Sequence, residues 1–350
     1  MRPSIAALAA GLWLAVCVAV CPLTAPALTL MSYNVENLFD DVKNGTEYRE
    51  FVPRQGAWNT EGFLNRVRAL SEVIRKAVPG GPDILLLQEV ENENALEVFL
   101  REGTRGMGYA WHALVPKKGL SANVAVVSRL PIARVRTHAV GPWTDGRPVR
   151  DILEAQVELR GHRLYVFNNH WKSRTEGVRA TEPLRREAAG VLAARIQEIL
   201  AEEPRADIVA AGDFNESADE YARRGSRAVT ALMPADGPAP GEGPQVIFLS
   251  AAAPPPGGSR GRCVLFEPWF QVAPRDRGSA AWQGEWLTSD HVLLSAGLFD
   301  GEGFRYRAAS FTAVKLPFLL TDRGFPLRWS PRSADGYSDH LPVLVTLDGP

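Results

Sequence analysis

Residues 207–217 read DIVAAGDFNES, in which a run of small apolar residues gives way after Gly212 to polar side chains that can do chemistry. If the chain stays extended, Asp213 and Asn215 lie two positions apart and point the same way, so both can reach one small ligand. An Asx-rich turn that closes a buried strand is the other interpretation. The segment indicates a carboxylate and an amide presented at a strand end.

The same pattern recurs along the chain, as strand-like runs that end or begin with an acid, an amide or a histidine. The residues at these positions are Asn34 and Glu36, Gln88 and Glu89, Asn168, Asn169 and His170, Asp213 and Asn215, Asp290 and His291, and Asp339 and His340. A solvated acid, the acidic start of a helix or a packing histidine can explain single members, such as Glu36, Glu89 or His291. These interpretations do not explain the shared pattern.

Converging carboxylates and amides without a thiolate suit a hard, oxygen-preferring cation, which indicates Mg²⁺, with Mn²⁺ as a substitute. Such an ion beside uncoordinated histidines and asparagines suits phosphate esters, because the metal polarises a phosphoryl oxygen and side-chain donors stabilise the transition state. Phosphoester hydrolysis is therefore the leading reaction class.

Strands and helices interleave over the length of the chain, which favours an α/β or mixed layered architecture. Amphipathic patterns predict helices over residues 60–78, with Thr60 as a cap, and near residues 182–202. The segment 234–262 is rich in proline and glycine around a short apolar island, VIFL, and we expect a long irregular insertion within one domain that spans residues 28–350.

Residues 1–27 have the composition of a secretory signal peptide: a positive head, an apolar run and small residues before a cleavage point near Ala27. We therefore expect a secreted or periplasmic protein without a stable membrane anchor. Cys263 is the only cysteine after this leader, so an internal disulfide is excluded. With 39 basic and 40 acidic residues, the whole chain creates no field that attracts a polyanion, and a local basic patch must hold one.

Six motifs, in this order, give a resemblance to a known family: SYNVENLFD, LLQEVEN, NNHWKSR, AAGDFNE, WLTSDHVLLS and GYSDHLPV. They resemble the endonuclease/exonuclease/phosphatase superfamily of DNase I-like, metal-dependent phosphodiesterases, and most of all its secreted bacterial branch with the YNVENLFD signature. The resemblance covers residue 28 to the C-terminus. It implies a four-layered α/β sandwich, with two face-to-face mixed β-sheets flanked by helices and an active site at one edge.

The resemblance also implies a metal site. Glu89 matches the principal metal-binding glutamate of the family, and Asn34 matches an asparagine that contacts the phosphate or the metal shell. Asp339 is similar to a second metal-site ligand. Glu36 occupies a position that is often, but not always, acidic in relatives, and we expect it at the metal.

The catalytic roles follow from the same motifs. Asp213 matches the residue that activates or orients the attacking water, and Asn215 the amide that positions phosphate and water. His170 matches a histidine that binds the scissile phosphate. His340 matches the histidine at the transition-state oxygens, and Asp290 the acid that orients it.

A basic group follows His170 and predicts phosphate binding, because arginine offers a rigid fork of donors. Its members are Lys172, Arg174, Arg179, Arg185 and Arg186. A solvated loop and helix face is the other interpretation. We expect Arg174, Lys172 and the neighbouring Asn169 to contact substrate phosphate.

Three functions remain open, and the sequence indicates no protein partner. A Mg²⁺-dependent nuclease of low sequence specificity, acting on nucleic acid, is favoured. A sphingomyelinase-like or other phosphoesterase has the same chemistry, and the nearest aromatic candidate for membrane contact, FEPWF at 266–270, is expected in the core or a pocket wall. A catalytically inactive binding module is disfavoured, because every matched position keeps a competent residue.

Overall fold

The computed structural model describes residues 26–53, 58–142, 145–238, 241, 245–256 and 261–350. Its strands are β1 (Ala27–Leu38), β2 (Ile84–Val90), β3 (Trp111–Val115), β4 (Asn123–Ser128), β5 (Ile132–His138), β6 (Ile152–Leu159), β7 (His162–His170), β8 (Asp207–Asp213), β9 (Leu232–Pro234), β10 (Ile247–Ser250), β11 (Cys263–Phe266), β12 (Ala280–Trp282), β13 (Glu285–Leu287), β14 (Asp290–Leu294), β15 (Arg305–Tyr306), β16 (Thr312–Ala313) and β17 (Val343–Asp348). The α-helices are α1 (Thr60–Ala77), α2 (Glu93–Val98), α3 (Val178–Glu202) and α4 (Glu220–Arg223).

Two large mixed sheets dominate the fold. The first sheet has the order β15-β17-β1-β2-β4-β3, with β16 also paired to β17, and the second has the order β5-β6-β7-β8-β14-β11-β10-β9. A separate hairpin joins β12 and β13. In each sheet a central pair is parallel, β1 with β2 and β7 with β8, and antiparallel strands flank it.

The apolar core forms three layers. Between the sheets, Leu86 and Val126 of the first sheet join Leu153 and Val209 of the second in one buried cluster. On the outer face of the first sheet a second cluster packs against α1 and α2, and on the outer face of the second sheet a third packs against α3. The order helix, sheet, sheet, helix confirms the predicted four-layered α/β sandwich.

Strand direction explains the recurring polar pattern of the sequence. The parallel strands β1, β2, β7 and β8 all carry their polar residues at their carboxyl ends. Strands β14 and β17 run antiparallel to their neighbours, so the polar residues at or before their starts lie at the same edges. His170 pairs with Asp213 in the ladder, and Asp213 pairs with Asp290.

Gly212 allows the close approach of the two strands that carry His170 and Asp213. Its φ is +133°, and a Cβ atom there would lie 2.0 Å from the backbone oxygen of Asn169. Because that contact is with backbone, a side chain could not be accommodated by a rotamer change. The glycine of the AAGDFNE motif is therefore a steric requirement of the sheet.

Three predicted elements differ in detail. Helix α1 is capped by Asn59, whose side chain accepts from the backbone N–H of Gly62, so the prediction of Thr60 as the cap was wrong. Helix α3 begins one turn before the predicted segment, at Val178, and contains Pro183. In the 234–262 segment, the apolar island forms β10, which pairs in parallel with β9 and β11 and extends the second sheet.

The predicted leader, residues 1–27, lies almost entirely outside the described residues; Ala27 itself begins β1 and pairs with Asp348. Cys263 is buried, as a free thiol. Among the helices in the described part of the chain, none is both long and apolar enough to cross a membrane.

Candidate active site

The two sheets meet at their polar edges through Asn34. Its side-chain amide donates to Oε1 of Glu89 at 3.2 Å within the first sheet and to Oδ2 of Asp213 at 3.1 Å across to the second. Nε2 of His170 lies 3.7 Å from Glu89 and 3.6 Å from Asp213. Four of the predicted site residues, drawn from four different strands, thus surround one small space.

His340 joins this group from the loop before β17. Its Nδ1 donates to Oδ2 of Asp290 at 2.8 Å, and its Nε2 lies 3.8 Å from Oδ2 of Asp213. Asp290 is in turn held by Ser279, whose hydroxyl donates to the same carboxylate oxygen at 2.6 Å. The Asp290 carboxylate thus lies where it can orient the His340 ring.

Burial and neighbouring charges give the two histidines opposite character. Burial and the positive charges of Arg150 and His340 hold the pKa of His170 well below its usual value. Burial also lowers the pKa of His340, but Asp290 and Asp213 outweigh it and raise that pKa well above the usual value. The surroundings therefore favour the neutral form of His170 and the protonated form of His340.

The carboxylates between them are also perturbed. Burial raises the pKa of Asp213 to about 6, with His340 opposing the shift and Asp290 adding to it. Burial and Asp339 raise the pKa of Glu89 to about 7. Carboxyl groups that titrate near neutral pH in a polar cleft are typical of functional sites.

Asn215 completes the group at the end of β8. Its backbone N–H donates to Oδ1 of Asp213 at 2.8 Å, and its side-chain amide donates to Oδ2 at 3.0 Å. Asn215, Glu89 and Glu36 have φ values of +50°, +68° and +43°, in the left-handed region that non-glycine residues rarely adopt. Such backbone strain concentrates at functional sites.

Glu36 has a different environment from the metal ligand that was predicted. Its Oε1 accepts from Nε of Arg328 at 2.7 Å. Its Oε2 accepts from the backbone N–H groups of Trp329 and Asp339, at 3.0 Å and 2.9 Å. The buried Glu36 carboxylate thus fixes both ends of the 328–339 loop, a positioning role that holds Asp339 and His340 in place.

Two polar residues of the sequence pattern tie the sheets together. The side-chain amide of Gln88 donates to Oδ1 of Asn168 at 2.7 Å, and that of Asn168 donates to the backbone oxygens of Leu87 and Ala125. Both residues are buried. They set the distance between the edges that carry the site.

Several of the basic side chains that follow His170 pair with acidic residues of the same chain. Arg174 forms an ion pair with Glu220, and Lys172 lies 3.5 Å from Glu176. Arg185 is fully buried, with Nε donating to Glu216 at 3.0 Å. The expected patch is therefore not one exposed surface, because a helical pattern does not distinguish a buried arginine from a solvated one.

The polar atoms of Asn169 and His291 form hydrogen bonds within the fold. Asn169 donates to the backbone oxygen of Ala211 at 3.1 Å and accepts from Nε1 of Trp171 at 3.1 Å, which leaves its predicted phosphate contact without support from the geometry. His291 is buried, with Nδ1 donating to Glu267 at 2.5 Å and Nε2 donating to the backbone oxygen of Glu216 at 2.8 Å.

Arg150 is a site residue that the sequence reasoning missed. It lowers the pKa values of both Glu89 and His170, so its guanidinium lies within electrostatic range of both, while its Nε donates to the backbone oxygen of Ala122 at 2.9 Å. It comes just before β6, which runs antiparallel to β7 and so starts at the active edge. The pattern of polar residues at strand starts could have found it.

The side chains at this edge can hold a hard divalent cation. Glu89, Asn34 and Asp213 offer oxygen atoms, and Glu89 remains partly exposed, with 19% of its side chain accessible. A cation beside Glu89 would also favour its ionised form, which burial opposes. Asp213, Asp290 and His340 form the one group of three acidic or histidine side chains in the described part of the chain whose ligand atoms converge, within 4.8 Å of one another. Because His340 and Asp290 are bonded to each other at 2.8 Å, Glu89 is the better anchor for an ion.

Comparison with known families agrees with this geometry. The model of the Endonuclease/Exonuclease/phosphatase family matches residues 29–231, more than half of the chain. The chain is similar to a 5'-tyrosyl-DNA phosphodiesterase from Caenorhabditis elegans, with 24% identity over 173 residues. That match covers 48% of this chain and 44% of the relative, so it spans less than half of that protein's length.

Solved structures show the same fold at low identity. SeMet TDP2 from Caenorhabditis elegans superposes with a TM-score of 0.54 at 16% identity, over 92% of this chain and 74% of that one. The human Nocturnin catalytic domain with bound sulfate anion superposes with a TM-score of 0.52 at 16% identity, over 93% of this chain and 96% of that one. At such identity the likeness establishes the fold.

Proposed function

The chain belongs to the endonuclease/exonuclease/phosphatase family, and from that premise we propose that it is a Mg²⁺-dependent phosphodiesterase that cleaves nucleic acid with low sequence specificity. The observation that carries the proposal is the pairing of the His340 imidazolium with the Asp213 carboxylate, 3.8 Å apart. The imidazolium can stabilise negative charge and the carboxylate can accept a proton, and the two groups lie next to each other.

Hydrolysis of a phosphodiester follows from these charge states. Asp213 accepts a proton from the attacking water while the water oxygen forms a bond to phosphorus and the ester bond to the leaving oxygen breaks. The leaving oxygen takes a proton from solvent water and departs as an alcohol. His340 donates to a phosphoryl oxygen as negative charge develops there. The amides of Asn34 and Asn215 hold the Asp213 carboxylate in place. Asp290 holds His340 protonated and oriented through the 2.8 Å hydrogen bond.

Glu89 and Asn34 would hold the metal ion, with Mn²⁺ as a substitute for Mg²⁺. When bound, the ion supplies Lewis-acid polarisation of a phosphoryl oxygen. Burial and Asp339 raise the pKa of Glu89 to about 7, and a bound cation would keep its carboxylate ionised at neutral pH.

Nucleic acid is the favoured substrate class. The relative named 5'-tyrosyl-DNA phosphodiesterase acts, by its name, on a phosphodiester of DNA. Arg150 and Lys172 lie near enough to His170 for their positive charges to lower its pKa, and Lys172 also lies 3.5 Å from Glu176. With Arg174 and Arg185 paired inside the protein, the enzyme engages one or two phosphates, and affinity should depend on salt with a log-log slope of about −1 to −2.

A phospholipid substrate is the second candidate, and one observation favours it. The β12–β13 hairpin exposes 61% of Trp282, and at its base Ala280 bridges to His340. An exposed aromatic beside the site could touch a membrane. The FEPWF segment does not serve this purpose, since Phe266 and Trp269 are buried. One exposed tryptophan is common on soluble surfaces, so nucleic acid remains favoured.

We extend the proposal to where the protein is located and to whether it is an active enzyme. The leader composition supports secretion or a periplasmic location, in keeping with the bacterial branch that the YNVENLFD motif resembles. The competent residues that converge at the sheet edges favour an enzyme over a binding module that has lost catalysis.

The deciding experiment screens purified protein against plasmid DNA, single-stranded DNA, RNA, sphingomyelin vesicles and a simple phosphate monoester, with and without Mg²⁺. We expect DNA cleavage that stops after dialysis against EDTA and returns with Mg²⁺ or Mn²⁺. Turnover undiminished after chelation and dialysis would contradict the metal-dependent mechanism.

The Trp282→Ala variant distinguishes a nucleic-acid substrate from a lipid substrate. It should leave DNA cleavage within about threefold, whereas vesicle hydrolysis would fall sharply if the lipid candidate were correct. Trp111→Ala, a tryptophan exposed to 44% on the edge strand β3, is the matched control. Vesicle hydrolysis without DNA nicking would overturn the nuclease proposal and leave the phosphodiesterase chemistry standing.

A further inference from the structure

Arg328 lies beside an acid at which the family resemblance implies a metal ligand. Its Nη2 is 3.5 Å from Oδ2 of Asp339, and both its Nε and its Nη2 are 2.7 Å from Oε1 of Glu36. The guanidinium therefore stands between the two carboxylates. It remains 66% exposed, while Asp339 is exposed to 34%.

The carboxylate of Glu36 is satisfied by donors of the protein. Besides Arg328, it accepts from the backbone N–H groups of Trp329 and Asp339. These bonds enclose the carboxylate within the loop that it anchors. A cation at this position would compete with several existing hydrogen bonds.

Charge is balanced at this end of the site. The two acids, Glu36 and Asp339, face two arginines, because Arg66 of α1 reaches the same region and donates to the backbone oxygens of Val35, Glu36 and Tyr337. Burial lowers the pKa of Arg66 to about 10, so it stays charged at neutral pH.

The other end of the site has a different balance. Glu89 accepts from the side-chain amide of Asn34 at 3.2 Å and from the backbone N–H of Asn37 at 3.0 Å, and 19% of its side chain is exposed. A divalent ion at Glu89 would compete with these uncharged donors, whereas one at Glu36 would compete with a guanidinium. The two ends differ in what a metal would have to displace.

We propose that the guanidinium of Arg328 is a tethered cation that occupies the Glu36–Asp339 end of the active site, so that the enzyme holds one divalent ion, on the Glu89 side, and not two. This inference rests on the proposed metal-dependent function. Asp339 then neutralises Arg328 and does not bind metal. Arg328 is a positioning residue, since it acts through Glu36 and the 328–339 loop.

The test is to count bound ions. Mn²⁺ is titrated into the wild type, Arg328→Met and Arg328→Lys, with calorimetry for stoichiometry and electron paramagnetic resonance for the bound ions. We expect one Mn²⁺ per chain in the wild type and in Arg328→Lys. In Arg328→Met we expect two, with the line broadening of neighbouring spins, because two carboxylates lose their cation. Arg332→Met removes an exposed arginine of the same loop and should keep one ion.

A second variant covers the case in which Arg328→Met does not fold. Asp339→Asn in the presence of Arg328 should change the Mn²⁺ dissociation constant by less than about threefold, while Glu89→Gln should weaken it at least tenfold. Two ions in the wild type, one ion in folded Arg328→Met, or a tenfold loss of affinity in Asp339→Asn would each overturn the inference and leave metal-dependent hydrolysis standing. A wild type that binds no Mn²⁺ would overturn the proposed function itself.

Discussion

Nδ1 of His340 donates to Oδ2 of Asp290 at 2.8 Å, although Asp290 begins β14 of the second sheet and His340 lies fifty positions later, in the loop before β17 of the first. The buried carboxylate opposes the effect of burial on the ring and, with Asp213, raises the pKa of His340 well above its usual value. This bond fixes the orientation of the imidazole and favours its protonated form.

Asp290→Asn should lower kcat by roughly 10²-fold, as expected when a positioned electrostatic group is lost. Protonated His340 is present below its raised pKa and is lost as pH rises through it. Without the Asp290 charge this pKa falls, so the high-pH decline of kcat/KM should move to lower pH. The exposed Asp322→Asn is the control, and an unchanged pH profile would argue against orientation and charging by Asp290. Asp290→Ala combined with His340→Ala should be no worse than His340→Ala alone.

Arg150→Met should lower kcat/KM by roughly 10²-fold, because it removes a cationic donor within electrostatic range of Glu89 and His170. Arg150→Lys should recover part of the rate, since it keeps the charge but loses the fork of donors. Arg134→Met, an exposed arginine of β5, serves as the control. If Arg150→Met keeps the wild-type rate and salt slope, Arg150 does not contact the substrate.

Gly212→Ala should destabilise the protein by at least about 3 kcal/mol, because the new Cβ would clash with the backbone oxygen of Asn169 at a positive φ. Urea unfolding measures the change. Gly241→Ala, where a Cβ would meet nothing within 4 Å, should be nearly neutral. Equal stability of the two variants would contradict the close approach of β7 and β8.

Glu154 should make stability depend on pH in the acid range. Although burial opposes it, hydrogen bonds from His138, Arg195 and Gln156 lower the pKa of Glu154 to about 2. The carboxylate therefore contributes its full stabilisation above about pH 4.5, and this is lost as pH falls toward 2.

Glu154→Gln should reduce the free energy of unfolding at pH 7 by roughly 1.5–3 kcal/mol and flatten its dependence between pH 4.5 and 2. Thermal melts across that range test this. Glu158→Gln, exposed on the same strand, should change neither. Parallel loss of stability in both variants would assign the effect to net charge.

The sequence predicted the strand ends well, because continuous apolar runs that stop at a polar residue reflect strands buried on both faces. Asp213, His170 and Asn34 converge as those patterns indicated. The sequence did not reveal which residues these side chains are bonded to. Glu36 is hydrogen-bonded to Arg328, 292 positions away, and the buried Arg185 donates to Glu216. These environments depend on tertiary contacts that local sequence patterns do not contain.

The hydrogen bond between Asn34 and Asp213 crosses from one sheet to the other, and the layer beneath it is packed by side chains such as Leu153 and Val126. A shift of about 1 Å between catalytic groups can cost about 10²-fold in rate. The packing of this apolar layer therefore bears both on the stability of the fold and on the alignment of the site. A substitution there that the fold survives can still change the separation of the two halves of the site.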